Sequence, residues 1–88
     1  MLKPSFTKQF ERDLKRVLKR GKKKEKIKLV ISRLIKEEKL DKKYRDHKLL
    51  GVFKGRRECH LEPDWLLVYK VETNKIVFER TGTHADLF

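Results

Sequence analysis

The sequence has little cysteine and little glycine, and it contains no long apolar run. Cys59 is the only cysteine, which excludes an intramolecular disulfide and favours a reducing, cytoplasmic location. No apolar stretch approaches the roughly 20 residues of a membrane span, and no signal-peptide hydrophobic region is seen. The four glycines are dispersed and form no phosphate-binding loop. These absences predict one cytoplasmic domain without a P-loop nucleotide site.

Positive charge is abundant, and it is concentrated in the first half of the chain. The 88 residues have a formal net charge of +12. Residues 1–45 hold 18 basic and 6 acidic side chains, whereas residues 46–88 hold 7 of each. Such a one-sided charge attracts polyanions and makes their binding sensitive to salt. We expect a docking surface that includes Lys19, Arg20, Lys22, Lys23, Lys24 and Lys26. The alternative is that the lysine side chains of the helices only keep the protein soluble and bind no polyanion.

Hydrophobic periodicity predicts two helices joined by a short link at Gly21. The first covers residues 7–20, and its apolar stripe contains Phe6, Phe10, Leu14, Val17 and Leu18. Ser5 or Thr7 can cap its start. The second covers about residues 24–38, with Ile27, Val30, Ile31, Leu34 and Ile35 as its stripe. An antiparallel hairpin of two such helices needs a further partner for its apolar stripes, and a sheet is favoured over a membrane surface.

The second half of the chain has the periodicity of strands. Arg56–Leu61 alternates, Trp65–Val71 is almost continuously apolar, and Lys75–Arg80 forms a third segment between turn signals. Residues 2–4 can add a short edge strand, because Pro4 excludes a central position. The pattern predicts a single α+β domain over residues 1–88. A twisted antiparallel sheet, made of the edge strand and a three-stranded meander, carries the helical hairpin on one face.

Strand alternation separates a core face from a face that is available for chemistry. Cys59 shares one face with Leu61, under the helices, and it is predicted to be a small core residue rather than a nucleophile. His60 shares the opposite face with Glu58 and Arg56. His60 is therefore expected to point away from the helices, although a purely structural histidine is the alternative.

The three histidines favour acid–base catalysis over the other chemistries we considered. They stand 13 and 24 residues apart without CxxC or HxxxH spacing, so we expect no metal and no cofactor. The serines lie in the helical half, which argues against a serine nucleophile. RNA cleavage needs only a base for the 2′ proton, an acid for the leaving oxygen and a cation, because the ribose supplies the nucleophile. Two histidines and Arg80 meet this requirement, and Trp65 or Phe88 could stack on a base. Trp65 could instead be a core anchor.

Three motifs carry a resemblance to a known family. They read Asp46-His47-x-Leu-x-Gly51, then Arg57-Glu58-x-His60-x-x-Pro63-Asp64-Trp65-x-Leu-x-Tyr69, then Arg80-Thr81-Gly82-Thr83-His84-x-Asp86-Leu87-Phe88. In order and spacing this pattern resembles the RelE/ParE toxin superfamily, and specifically its YafQ-like branch. The motifs span residues 46–88, whereas the helical half matches only in pattern and length.

The resemblance implies a function and a set of site residues. Members of that branch are ribosome-dependent mRNA endonucleases, held inactive by an antitoxin encoded beside them. The corresponding site residues here would be His47, His60, Asp64, Trp65, Arg80, His84 and Phe88. The resemblance implies His84 as acid or base, with His60 or His47 as its counterpart, and Arg80 as the cation. Asp64 would orient a histidine or the ribose, and Trp65 and Phe88 would position the nucleotide.

The resemblance also implies partners and leaves alternatives open. We expect the ribosome, mRNA and a cognate antitoxin as partners, and no membrane. We expect a monomeric toxin and a hetero-oligomeric toxin–antitoxin complex. A ParE-like toxin that binds DNA gyrase, or a non-catalytic RNA-binding module, would share the fold. Simple alternation also groups Arg80 with Ile76 and Phe78, so either these residues lie on the active face or the strand bulges before Arg80.

Overall fold

The computed structural model describes residues 1–88, and its elements follow the predicted order. Two helices, α1 (Lys8–Lys19) and α2 (Lys24–Ile35), follow the first strand, and a short helix, α3 (His84–Leu87), comes after the last. The strands are β1 (Lys3–Phe6), β2 (His47–Lys48), β3 (Arg57–Glu62), β4 (Trp65–Val71) and β5 (Lys75–Gly82). Two 3-10 turns, Lys42–Tyr44 and Gly51–Phe53, flank β2. No helix is both long enough and apolar enough to cross a membrane.

The five strands form one sheet in the order β1-β5-β4-β3-β2. β1 pairs with β5 in parallel, and every other pair is antiparallel. The α+β prediction is confirmed, including the meander and the N-terminal edge strand. Pro4 fits that edge because it has no amide hydrogen to donate. Strand β2 was not predicted, since two residues are too few to show alternation.

The helices begin where the sequence predicted, but α2 ends earlier. Thr7 caps α1 by accepting a hydrogen bond from the Phe10 amide at 2.9 Å. The prediction extended the second helix to residue 38, whereas α2 ends at Ile35. Glu37 takes a left-handed conformation with φ of 61°, and its amide bonds to the Leu34 carbonyl. The apolar stripe stops at Ile35, so a further turn would bury nothing and the chain turns away instead.

The main core lies between the two long helices and one face of the sheet. The helices contribute Phe10, Val17, Ile27, Val30 and Leu34, and the sheet contributes Cys59, Leu67, Tyr69, Ile76 and Phe78. Cys59 is fully buried there, as its strand position predicted, and burial raises the pKa of its thiol. A buried thiol without a nearby cation is a poor nucleophile, so Cys59 packs rather than reacts.

A second, smaller apolar cluster covers the opposite face of the sheet. Leu66 and Val68 of β4 pack there with Leu87 of α3, and Leu49 and Phe53 lie against them. Strand β4 is therefore covered on both faces, which explains its continuous apolar sequence. The cluster holds α3 and the segment before β3 on the sheet face that carries His60, which pairs with Leu66 between β3 and β4.

Candidate active site

The three histidines, distant in sequence, meet at one end of the sheet. His47 lies on β2, His60 on β3, and His84 is the first residue of α3. The ring centroids of His47 and His60 are 6.0 Å apart, and those of His60 and His84 are 5.8 Å apart. The sheet order accounts for the first contact, because β2 pairs with β3 and places His47 opposite Glu58. Three imidazoles at this spacing can act on the two sides of one phosphodiester.

Glu58 lies between two of these histidines, and sequence reasoning did not assign it a role. Its Oε2 is 3.2 Å from the Nε2 of His47 and 3.4 Å from the Nε2 of His60. Its side chain is almost fully buried. Glu58 and His60 share a face, as alternation predicted, whereas Arg56 lies before β3 and pairs with Glu79. The pairing with His47 could not be predicted without β2.

The second contact of His47 orients its ring. Its Nδ1 is 2.6 Å from the Arg45 carbonyl oxygen, which can only accept, so Nδ1 donates in this contact. The ring therefore turns Nε2 toward Glu58, and His47, Glu58 and His60 form one cluster of titratable side chains.

Two buried polar atoms in this cluster have no hydrogen-bond partner. They are Oε1 of Glu58 and Nδ1 of His60. Buried polar groups are nearly always paired, because an unpaired one loses its interaction with water without replacement. The two orphaned atoms make this cluster a candidate site for chemistry.

His84 is held by Asp64, which lies in the turn between β3 and β4. Oδ1 of Asp64 accepts a hydrogen bond from the His84 amide at 2.8 Å and is 2.6 Å from Nδ1 of the same residue. The amide bond, followed by the side-chain bond, lowers the pKa of Asp64. An ionised Asp64 only accepts, so Nδ1 of His84 carries the proton and Nε2 is free to exchange one. Both side chains are largely exposed.

The start of α3 is fixed by a network that includes Asp86. Thr83 and Asp86 form a reciprocal capping box, and Arg20 of the helical half donates two hydrogen bonds to Asp86, at 2.7 and 3.2 Å. The hydrogen bond from Arg20 is the main cause that lowers the pKa of Asp86. A side chain at Gly82 would come within 2.9 Å of the Asp86 carboxylate, so glycine is required there. This network positions His84 at a defined helix start.

Arg80 follows a β-bulge, which resolves the conflict with simple alternation. Tyr69 pairs with Phe78 and Val68 pairs with Arg80, so Glu79 is the extra residue of β5. The bulge places Arg80 in a cross-strand row with Val68 and Glu58. Its guanidinium donates to Asp13 of α1, at 2.7 Å from Nε and 3.3 Å from Nη2. Sequence reasoning missed Asp13, because a carboxylate beside an apolar stripe is typical of a solvated helix.

The two aromatics predicted to bind substrate differ in exposure. Trp65 is fully buried in the main core, and its indole donates to the Thr81 hydroxyl at 2.9 Å. The ring offers no face to a nucleotide in this structure, so Trp65 packs as the core anchor that was the alternative to a stacking role. Phe88 is 59% exposed and meets Phe53 edge-on, with ring centroids 5.2 Å apart. Of the two aromatics, only Phe88 presents a ring face.

The predicted docking residues fall into two groups. Arg20 is bound to Asp86, and Lys22 and Lys26 both bind Glu62, the latter at 2.9 Å. These three ion pairs join the helical half to the sheet. The other three, Lys19, Lys23 and Lys24, are exposed and form no ion pair. They are the members of the set that are free to meet a polyanion.

A cavity of about 390 Å³ opens beside His60. Its walls include three cationic side chains, those of Lys26, Lys43 and Arg45, together with the ring of Tyr44. Cations around a partly apolar cavity suit a nucleotide, which has both a charged phosphate and a flat base. Lys43 and Arg45 did not stand out in the sequence, where they are two among many basic residues.

One group of side chains could hold a metal ion. The ligand atoms of His47, Glu58 and His60 all lie within 4.8 Å of one another. Two imidazoles and a carboxylate are ligands that zinc and copper accept. The sequence spacing gave no sign of this group, because its members are joined across two strands rather than along one helix or loop. The prediction of no metal therefore remains a hypothesis to be tested.

Comparison with known proteins places these features in one family. The profile of the family described as the bacterial toxin of type II toxin–antitoxin system, YafQ, matches residues 2–88. An mRNA interferase toxin YafQ from Escherichia coli strain K12 is 44% identical over 84 residues, covering 94% of this chain and 91% of that protein.

Two solved structures are similar over their whole length. The toxin chain in the crystal structure of the E. coli DinJ–YafQ complex has 42% sequence identity and a TM-score of 0.93, covering 100% of this chain and 99% of its own. A copper-bound mutant toxin from Helicobacter pylori has 40% identity and a TM-score of 0.95, with 100% of both chains covered. The second structure shows that a protein of this fold can bind a transition metal.

Proposed function

The chain belongs to the YafQ family of bacterial type II toxins, and we propose that it is an endoribonuclease that cuts mRNA on the ribosome by metal-free histidine acid–base catalysis. The name mRNA interferase, carried by its E. coli relative, describes an endoribonuclease that acts on mRNA. The observation that carries the proposal is the meeting of three imidazoles, each of which has a carboxylate oxygen within 3.4 Å. This arrangement supplies both a base and an acid for proton exchange with a substrate, which simple binding of RNA does not require.

The reaction follows from the groups present. The 2′ oxygen attacks the adjacent phosphorus, its proton passes to a histidine, and a new O–P bond forms. The bond from phosphorus to the 5′ oxygen breaks, and a second histidine protonates that oxygen. The products are a 2′,3′-cyclic phosphate and a 5′ hydroxyl. No oxidant, reductant or water is consumed in this step.

The carboxylate contacts of the histidines suit them to these roles. His84 directs its Nδ1 proton to Asp64, which leaves Nε2 as an acceptor or, once protonated, a donor. His47 and His60 both lie beside Glu58, with their Nε2 atoms 3.2 and 3.4 Å from its Oε2. We propose His84 for one proton transfer and His60 or His47 for the other. The direction of each transfer depends on how the message lies in the site.

Arg80 and Phe88 complete the proposed site. The guanidinium of Arg80 stabilises the negative charge that builds on the phosphoryl oxygens in the transition state. Phe88, with its exposed ring, stacks on a base beside the scissile bond. The cavity next to His60 accommodates the message as it leaves the reacting centre, with Lys43 and Arg45 near its phosphates.

Dependence on the ribosome is proposed because the site activates its nucleophile weakly. Imidazoles near neutral pH produce little alkoxide, so most of the rate must come from holding the 2′ oxygen in line with the leaving oxygen. Positioning alone can contribute about 7–11 kcal/mol. A ribosome that holds the message in place can supply this positioning. The free lysines, Lys19, Lys23 and Lys24, are proposed to dock on ribosomal RNA phosphates.

A partner protein is proposed from the E. coli complex, in which a YafQ toxin is bound to DinJ. We propose that this chain is likewise inhibited by an antitoxin, that the free toxin is a monomer, and that the complex is a hetero-oligomer in the cytoplasm. The gyrase-binding and non-catalytic RNA-binding alternatives share the fold, but neither needs three clustered histidines. No feature of the site favours them.

The chemistry can be tested at the cleaved bond. A message that carries one 2′-deoxyribose at the mapped cleavage site lacks the nucleophile, so cleavage there should stop while cleavage at other sites continues. The products from unmodified message should end in a 2′,3′-cyclic phosphate. Cleavage of the 2′-deoxy bond at the normal rate would show that the ribose is not the nucleophile and would overturn the proposed mechanism.

A further inference from the structure

Asp13 is a fully buried carboxylate on a helix whose other buried residues are apolar. It lies on α1 between Phe10 and Val17, and its side chain has no exposed surface. A buried charge is costly unless hydrogen bonds and an opposite charge compensate it. The partners of Asp13 therefore indicate why a charged residue occupies this position.

Both oxygens of Asp13 are engaged, and the main partner is Arg80. Nε of Arg80 donates to Oδ2 at 2.7 Å, and its Nη2 donates to Oδ1 at 3.3 Å. The Thr81 amide donates to Oδ2 at 3.2 Å, and Gln9 donates to Oδ1 at 3.1 Å. Two parallel bonds between a carboxylate and a guanidinium fix the plane of the guanidinium as well as its position.

The contact with Asp13 leaves part of the Arg80 side chain exposed to solvent. Its side chain is 26% exposed, although Asp13 has no exposed surface. Nη1 of Arg80 makes no hydrogen bond within the protein, whereas Nε and Nη2 are both used by Asp13. The bulge at Glu79 sets Arg80 in the cross-strand row of Glu58 and His47. The free end of the guanidinium can therefore serve a phosphate while the other end is held.

We propose that Asp13 is a positioning residue, which acts through Arg80 to hold its guanidinium ready for the phosphoryl charge of the transition state. The inference rests on the proposed endoribonuclease function. A cation already in place stabilises a transition state without reorganising during the reaction, whereas a free arginine must first be ordered. The rival explanation is that the pair of Asp13 and Arg80 only joins α1 to β5. It predicts a loss of stability without a loss of cleavage rate in the folded variant.

The test is a double-mutant cycle on cleavage of translated message by the full chain. Asp13→Asn keeps the size of the side chain and an acceptor for the Thr81 amide, but removes the charge that holds Arg80. We expect this variant to lower the cleavage rate at saturating ribosomes by about 10- to 100-fold, with unchanged ribosome affinity. Arg80→Ala should lower the rate at least as much. The double variant should be no slower than Arg80→Ala.

Two controls separate positioning from folding. Gln9→Ala removes a neutral donor to Asp13 without touching Arg80, so its cleavage rate should equal that of the unchanged protein. Arg80→Lys keeps both the cation and the native Asp13 but loses the planar fork, and we expect a rate near that of Arg80→Ala. This second control tests the inference even if Asp13→Asn does not fold.

Each outcome separates the inference from the proposed function. Three outcomes would overturn the positioning role and leave histidine catalysis intact. They are a full cleavage rate for Asp13→Asn, a full cleavage rate for Arg80→Lys, and a rate for the double variant that is lowered by the product of the two single effects. A full rate for Arg80→Ala would remove Arg80 from the reaction and overturn both the inference and that part of the proposed function.

Discussion

The imidazole of His84 and the carboxylate of Asp64 are joined at 2.6 Å, across the turn between β3 and β4 and the start of α3. Their side chains come from positions 20 residues apart, and both are largely exposed. An exposed pair adds little to stability. Its geometry instead sets which ring nitrogen of His84 carries the proton, which matters for catalysis rather than for folding.

This relationship predicts different effects for the two partners. His84→Ala should abolish toxicity, because loss of a proton-transfer group costs on the order of 10²–10⁴ in rate. Asp64→Asn should give a smaller loss, because the imidazole remains but its tautomer is no longer fixed. The measurements are growth inhibition on induced expression and the cleavage rate in a translating extract. Thermal melts of both variants should match the unchanged protein, and full toxicity of His84→Ala would contradict the assignment.

The C-terminal aromatic should contribute to cleavage more than to stability. Deleting Phe88 removes a largely exposed ring whose aromatic contact is with Phe53, and chain ends seldom contribute much to a fold. We expect reduced cleavage with a melting temperature within a few degrees of the full chain. Phe88→Leu is a matched control that keeps apolar contact with Phe53 but cannot stack, and it should resemble the deletion. Normal cleavage by both variants would exclude stacking by Phe88.

Much of the fold could be predicted because its elements are long and periodic. The stripes of α1 and α2 and the alternation of β3 indicated which residues lie under the helices, and Cys59 is buried as predicted. The motif around His84 and Asp64 also pointed to residues that the structure brings together. Period and motif are local signals, so they are reliable where the local pattern decides the structure.

The remaining features depend on tertiary contacts that leave no local pattern. Strand β2 is too short to show a period, so the contact of His47 with Glu58 was invisible in the sequence. Asp13 is charged yet fully buried, because Arg80 of β5 forms an ion pair with it. Trp65 is buried because β4 is covered on both faces. In each case the deciding partner is far away in the chain.

The ion pair of Asp86 predicts a loss of stability in acid. Hydrogen bonds, chiefly from Arg20, hold the folded-state pKa of Asp86 below its ordinary value of 3.8. The stabilising contribution of Asp86 is present above that value and is lost as the pH falls toward the folded-state pKa. When melting temperatures are measured from about pH 7 to pH 2, they should decrease once the pH is lower than about 4. Asp86→Asn should show a shallower acid-induced decrease, and an identical pH profile for this variant would exclude Asp86 as a source.

The free lysines should carry part of the salt dependence of ribosome binding. Changing Lys19, Lys23 and Lys24 to glutamine should weaken binding and reduce its slope against log salt by about 0.7–0.9 for each RNA phosphate that no longer pairs with a lysine. Lys22 and Lys26 are left unchanged because their reversal would also release Glu62. The control changes Lys70 and Lys75, whose nearest carboxylate is Glu72 at the far hairpin, and should leave the slope unchanged. An unchanged slope in the first variant would mean that these lysines do not dock on RNA.

The central claim is metal-free catalysis that depends on the ribosome, and one measurement tests both parts. A single message is offered to catalytic amounts of protein, free in solution and on translating ribosomes. Each reaction is run with and without a chelator that removes transition metals but leaves ribosomal magnesium in place. The chelator matters because His47, Glu58 and His60 could bind such a metal. We predict negligible cleavage of the free message and clear cleavage of the message on ribosomes. The chelator should not change the cleavage on ribosomes, and His84→Ala should abolish it. Strong cleavage of the free message that the chelator removes would contradict the account.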